Sequence, residues 1–170
     1  VYQSTMEGIM VTDANAIILS VNPAFTQITG YSAEEALGQT PRLLKSKHHD
    51  PAFYAAVWGQ LAETGHWEGE TWNRRKGGDI FLVWQTITRI DGLGNEHVRY
   101  VSVFNDITDR WAKDERVRHL AFHDALTGLP NRLLLTERLD QLITMTEREP
   151  RNVALLFCDL DGFKAVNDTL

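Results

Sequence analysis

The sequence predicts an α+β fold, an antiparallel sheet with short helices on one face. Three observations predict it: two short β-prone runs at hairpin spacing, several brief helices with their own start and stop signals, and three longer strand-like runs separated by glycine turns. Behind these the pattern becomes helical and charged. A further apolar run then appears, too near residue 170 for its sheet to be completed within this sequence.

Each element has a local cause. Gly8 to Asp13 and Ala16 to Val21 are the two short strands, joined by a tight Ala14-Asn15 link. Asn22-Pro23 sets a capping side chain before a proline at the first helical position, and Gly30 ends that helix. Ser32 to Glu35 has the capping-box arrangement, and the short helix it opens ends at Gly38. Asp50-Pro51 repeats the cap-and-proline signal for a longer helix with Phe53, Val57, Trp58 and Leu61 on one face, stopped at Gly65. Strands are predicted at Trp67 to Arg75, Asp79 to Asp91 and His97 to Thr108, with turns at Gly77-Gly78 and Asp91 to Asn95. A connector helix follows through Trp111, Val117, Leu120 and Phe122. Pro130-Asn131 opens another helix with a core stripe at Leu135, Leu139, Leu142 and Ile143. Val153 to Cys158 reads as a buried strand ending at Asp159.

Composition narrows the function classes. With 43% hydrophobic and 24% charged residues the chain is an ordinary globular one. The net charge of −6, without a Lys/Arg stripe, disfavours nucleic acid as a partner. Asn73 to Lys76 reads as a solvated hairpin end. The single cysteine, Cys158, excludes a disulfide framework and reads as a buried reduced thiol. Neither a membrane-spanning run nor a signal peptide is visible, so a cytoplasmic location is expected, although a parent protein could be anchored outside this segment.

Two stretches carry resemblances. Val11-Thr12-Asp13, Val21 to Phe25, Ile28 to Tyr31, Glu35 to Gly38, Trp67 to Glu70, Asn73 to Gly77 and Asp106-Ile107-Thr108 together resemble a PAS domain, in order and spacing. His123 to Arg132 resembles the opening motif of GGDEF diguanylate cyclases, and Asp159 to Asp168 resembles their metal and nucleotide motif. The expected organisation is a PAS sensor at 1–109, a connector helix at 110–122, and the N-terminal part of an α/β GGDEF domain at 123–170. Gly77-Gly78-Asp79-Ile80-Phe81 superficially resembles the signature that names the cyclases, but it joins two PAS strands.

The second resemblance implies condensation of two GTP molecules into cyclic di-GMP by paired domains, hence a homodimer, with a sensor regulating the reaction. A carboxylate at the end of a buried strand suits Mg²⁺ bridging phosphates, which makes Asp159 the metal residue. By resemblance the Leu160 carbonyl also ligates metal, the Gly162 and Phe163 amides cradle phosphate, and Asn167 reads guanine. The rest of the metal site would lie past Leu170, so the segment alone is expected to make no cyclic di-GMP. A phosphodiesterase domain appended to the parent stays open.

PAS domains take flavin, haem, small acids or nothing. Alternation puts Trp67, Thr71 and Asn73 on one strand face; Leu82, Trp84 and Thr86 share a face on the next. If both sets point inward, with Phe104, they form an aromatic pocket, and Asn-Arg-Arg-Lys resembles the same strand in FAD redox sensors. The alternative is a filled core in a purely dimerising domain. Light-sensing flavin chemistry is disfavoured because Thr40 to Leu44 holds no cysteine, and Leu82 and Phe104 stand where polar amides are needed. Haem is disfavoured because His48 and His49, its candidates, sit beside Lys47 and Asp50 as solvated residues commonly do. The connector leaves Asp106, Ile107 and Thr108 as relay residues, with a polar-interrupted seam at Ile107, Trp111, Asp114, Arg118 and Ala121.

Overall fold

A computed structural model describes residues 5–92, 98–146, 154–159 and 161. The chain divides into two compact units, residues 1–115 and 116–170. The first unit holds one five-stranded sheet of β1 (Gly8–Asp13), β2 (Ile18–Val21), β3 (His66–Arg74), β4 (Ile80–Ile90) and β5 (Arg99–Asp106). Every neighbouring pair is antiparallel, in the order β2-β1-β5-β4-β3. Between β2 and β3 the chain makes α1 (Pro23–Thr29), α2 (Ala33–Ala36), a 3-10 turn at Pro41–Leu44, and α3 (Pro51–Thr64).

The local signals act as the sequence implies. Asn22 and Asp50 cap α1 and α3 by accepting from the Phe25 and Phe53 amides at 2.9 and 2.8 Å. Gly30 and Gly65 end these helices in the left-handed conformation that glycine adopts without a Cβ penalty. Both bonds of the Ser32–Glu35 capping box are present. The inner face of the sheet packs on the helices in two apolar groups. Met10, Ile18, Phe25, Ala36, Leu44, Phe81, Val83 and Phe104 form one, and Val57, Leu61 and Trp67 the other. Trp58 departs from the predicted buried face of α3 and meets Tyr100 edge-on at 5.3 Å instead.

β5 leads at once into α4 (Thr108–Phe122), none of whose residues is buried. In the second unit α5 (Arg132–Thr146) follows. Its predicted core stripe is exposed at Leu135, Leu142 and Ile143. The predicted strand Val153 to Cys158 is corrected as well: residues 154–159 form no strand, and Cys158 is exposed rather than buried. A strand needs a hydrogen-bonded neighbour and cover for its apolar side, and the described residues supply neither; Phe157 is 85% exposed. The predicted turn at Asp91 to Asn95 lies partly outside the described residues. No helix among the described residues is long and apolar enough to cross a membrane.

Candidate functional site

The ladder fixes which strand residues face the helices. Directly opposed residues of an antiparallel pair share a face, and Trp67, Gly69, Thr71 and Asn73 oppose Ile87, Gln85, Val83 and Phe81. Gln85 in turn opposes Phe104. Trp67, Thr71, Asn73 and Phe104 therefore line the inner face together, and all four are buried. Leu82 and Trp84 do share a face, as expected, but it is the outer one, opposite Trp72 and Glu70. Trp84 is 45% exposed there. The inward placement of Leu82 and Trp84 is thus wrong by one residue of register, which in a strand reverses every side chain.

Among three polar residues of the inner region, Thr71 is expected from strand alternation, whereas Gln85 and Tyr54 are not singled out. Gln85 donates its amide to Ser102 Oγ at 2.7 Å. Tyr54, on α3, has a hydroxyl that is buried without a hydrogen-bond partner among the described residues, and so has Thr71, whose residue is 6% exposed. Burial raises the Tyr54 pKa above its usual 10.0. Orphaned buried hydroxyls each cost about 1–3 kcal/mol and call for an explanation. For haem the geometry is unfavourable: His49 Nε2 already accepts the Trp72 amide at 2.9 Å, so that lone pair is engaged.

Below the pocket face Arg75 ties three elements. Its guanidinium donates to the Ile28 carbonyl of α1 and to Asp106 of β5, and its centre lies 4.2 Å from the Phe81 ring centroid on β4. The expected solvated hairpin end is therefore wrong for Arg75. Asp106 also accepts from the Thr108 amide and hydroxyl at 3.0 and 2.6 Å. Burial pushes the Asp106 carboxyl up, but the bonds from Thr108 and Arg75 outweigh it and hold the pKa below its ordinary 3.8. The Ile107 amide donates to the Leu82 carbonyl at 2.9 Å, and Thr108 Oγ1 accepts the Leu82 amide at 2.9 Å. Asp106, Ile107 and Thr108 are thereby pinned to the sheet where α4 begins. Beside them a groove of about 310 Å³ opens on the outer face, lined by Glu70, Trp84, Ile107, Arg110, Trp111 and Asp114.

In the second unit the motif His123 to Arg132 forms a closed corner. Asp124 Oδ1 accepts from the Leu126 amide and from the Thr127 amide and hydroxyl, at 3.2, 2.9 and 2.8 Å. Gly128 closes the turn with φ 69° and donates its backbone N–H to the Asp124 carbonyl at 2.9 Å. Asn131 Oδ1 caps α5 through the Leu133 and Leu134 amides, while its Nδ2 donates to the Ala121 carbonyl at 2.7 Å. This motif shapes a helix–turn–helix joint. Asp159 is exposed. Leu160, Gly162, Phe163 and Asn167 lie outside the described residues.

Comparison with known proteins agrees with this division. Residues 1–107 match the PAS fold, and residues 121–170 match the diguanylate cyclase GGDEF domain. The nitrogen fixation regulatory protein of Klebsiella oxytoca is 32% identical over 138 residues, 80% of this chain and 28% of that protein. The probable diguanylate cyclase DgcE of Escherichia coli K12 is 29% identical over 168 residues, 96% of this chain and 15% of the relative. The crystal structure of the PAS domain of a protein from Colwellia psychrerythraea superposes with a TM-score of 0.60 at 27% identity, covering 64% of this chain and 92% of that one. This chain therefore spans less than a third of the length of these two curated relatives.

Proposed function

Since the chain belongs to the PAS fold family and carries a diguanylate cyclase GGDEF segment behind that fold, we propose that its first unit senses a signal and regulates cyclic di-GMP synthesis by the complete protein. The observation that carries the reading is the Arg75 junction. One guanidinium touches α1, the β4 ring at Phe81 and the Asp106 carboxylate. A displacement of the sheet or of α1 is thereby felt where α4 begins, without passing through a flexible linker. A two-state element biased by a few kcal/mol is enough to convert ligand affinity into output.

The orphaned Thr71 and Tyr54 hydroxyls, with Asn73, Gln85 and the Trp67 ring, favour an aromatic ligand with a hydrogen-bonding edge, of which flavin is one. Bound there, flavin would supply redox sensitivity, and these residues would orient its polar edge. A homodimer, each cyclase domain holding GTP and Mg²⁺ through Asp159 and the Leu160 carbonyl, is the assembly this reading requires. Gly162 and Phe163 take the phosphates and Asn167 the guanine.

The test uses the full-length parent protein. Cyclic di-GMP formed from GTP and Mg²⁺ is measured for the wild type and for Asp106→Asn and Asp159→Asn, alongside an absorption spectrum of the purified protein. Asp159→Asn should abolish product, whereas Asp106→Asn should keep basal synthesis and lose its response to reduction or to added flavin. An intact response in Asp106→Asn overturns the relay. Wild-type activity in Asp159→Asn overturns the metal assignment.

A further inference from the structure

Sheet edges leave amide and carbonyl groups unpaired, and β3 is an edge strand. The segment Lys45–His49 covers that edge at one place. Lys45 pairs with Asn73 in antiparallel fashion. Ser46 Oγ donates to the Trp72 carbonyl at 2.5 Å, and the Trp72 amide donates to His49 Nε2 at 2.9 Å. The His49 ring stacks on Phe53 at 3.9 Å, and His48 stacks on the Trp72 indole at 4.9 Å. The same indole meets Trp111 of α4 edge-on at 5.1 Å.

An imidazole nitrogen accepts a hydrogen bond only while it carries no proton, so this contact requires neutral His49 with its hydrogen on Nδ1. We propose that His49 is a proton-operated latch: protonation of Nε2 turns the acceptor into a donor, breaks the bond from the Trp72 amide, and loosens the indole that steadies the first turns of α4. The proton comes from solvent, and no covalent bond changes.

The surroundings set the direction of the switch. Burial first, and then neighbouring His48, hold the His49 pKa below its usual 6.5, while Asp50 acts in the opposite sense. From α3 the Tyr54 ring faces His49 edge-on at 6.1 Å, with Lys45 Nζ 4.9 Å from the Tyr54 centroid. On β3, Glu70 and Arg74 flank Trp72 with opposite charges, and α4 places Arg110 and Asp114 beside Trp111. The latch is accordingly closed near neutrality and opens in acid. Its folded-state contribution is fully present above pH 6.5 and is lost as pH falls through the lowered value.

Amide NMR on the 170-residue chain tests this between about pH 7.5 and about pH 5, the range in which histidines titrate. After correction for intrinsic exchange chemistry, the Trp72 amide should exchange roughly five- to tenfold faster at the acid end. The Trp111 indole N–H resonance should move with the same midpoint. His49→Gln keeps an acceptor that cannot titrate and should flatten both curves; His48→Gln should leave both midpoints within the histidine range. A Trp72 amide whose corrected exchange ignores pH, a His49→Gln protein that titrates like wild type, or a Trp111 signal that stays fixed while Trp72 moves would each overturn the latch.

Discussion

Replacing Asn22 by alanine should destabilise the PAS unit by about 3 kcal/mol, against about 1 kcal/mol for the same change at Asp50. Both residues cap a helix by one bond of almost equal length, 2.9 Å to Phe25 and 2.8 Å to Phe53. They differ in what else the side chain holds. Asn22 Oδ1 also accepts the Ile9 amide at 2.8 Å, and its Nδ2 donates to the Glu7 carbonyl at 2.8 Å, so one amide ties α1 to the first strand. Asn22 is 1% exposed, whereas Asp50 is exposed. Losing a cap costs about 1 kcal/mol, and each backbone group then left without its partner costs about 1 kcal/mol more. Urea unfolding of both variants, followed by far-ultraviolet circular dichroism, gives the two midpoints and the slope m. With m unchanged, the Asn22→Ala midpoint should move about three times as far. Equal shifts for the two variants would refute the assignment of strand-tying work to Asn22.

Three further outcomes follow from the same geometry. A Cβ on Gly8 would lie 2.4 Å from the Phe104 ring tip, and that buried ring has little room to turn. Gly8→Ala should therefore cost about 1–3 kcal/mol of stability despite its lower unfolded-state entropy, and Phe104→Leu should relieve it, as a double-mutant cycle in urea would show. Asp106 stabilises the fold above pH 3.8 and ceases to do so as pH falls through its lowered folded value. The stability gap between wild type and Arg75→Gln should therefore be widest near neutrality and narrow below pH 3.8; a gap that widens in acid would contradict the pairing. Two residues inserted after Lys113 turn the rest of α4 by about 200°, and seven nearly restore its phase. Cyclic di-GMP output of the full-length parent should change with the first insertion only, and indifference to both would exclude a rotary relay.

Much of the first unit was legible because its signals are local. Asn22-Pro23 with Gly30, and Asp50-Pro51 with Gly65, mark helix ends through side chains that reach only the next turn. The face of β4 was not legible, because it depends on how many residues the turn after Arg74 consumes before Ile80 pairs back. Alternating Leu82, Trp84 and Thr86 looks inward by composition, yet the ladder assigns the inner face to Phe81, Val83, Gln85 and Ile87. Gln85 could have been suspected as an amide within an apolar strand. Arg75 could not, since its partners Ile28 and Asp106 are remote in sequence. In the second unit the motif around Asp124 was recognisable, but its work is a self-contained turn that needs no ligand.

The cover over β3 also bears on solubility. An open strand edge is a template on which another chain can add itself, and the far edge of this sheet, β2, is only four residues long. β3 has nine residues and would be the more dangerous template, but Lys45, Ser46 and His49 already occupy its hydrogen-bonding groups at Trp72 and Asn73. Shortening that segment would uncover a ready strand-addition site. Aggregation in such a deletion would then arise at the sheet's rim, while its core remained intact.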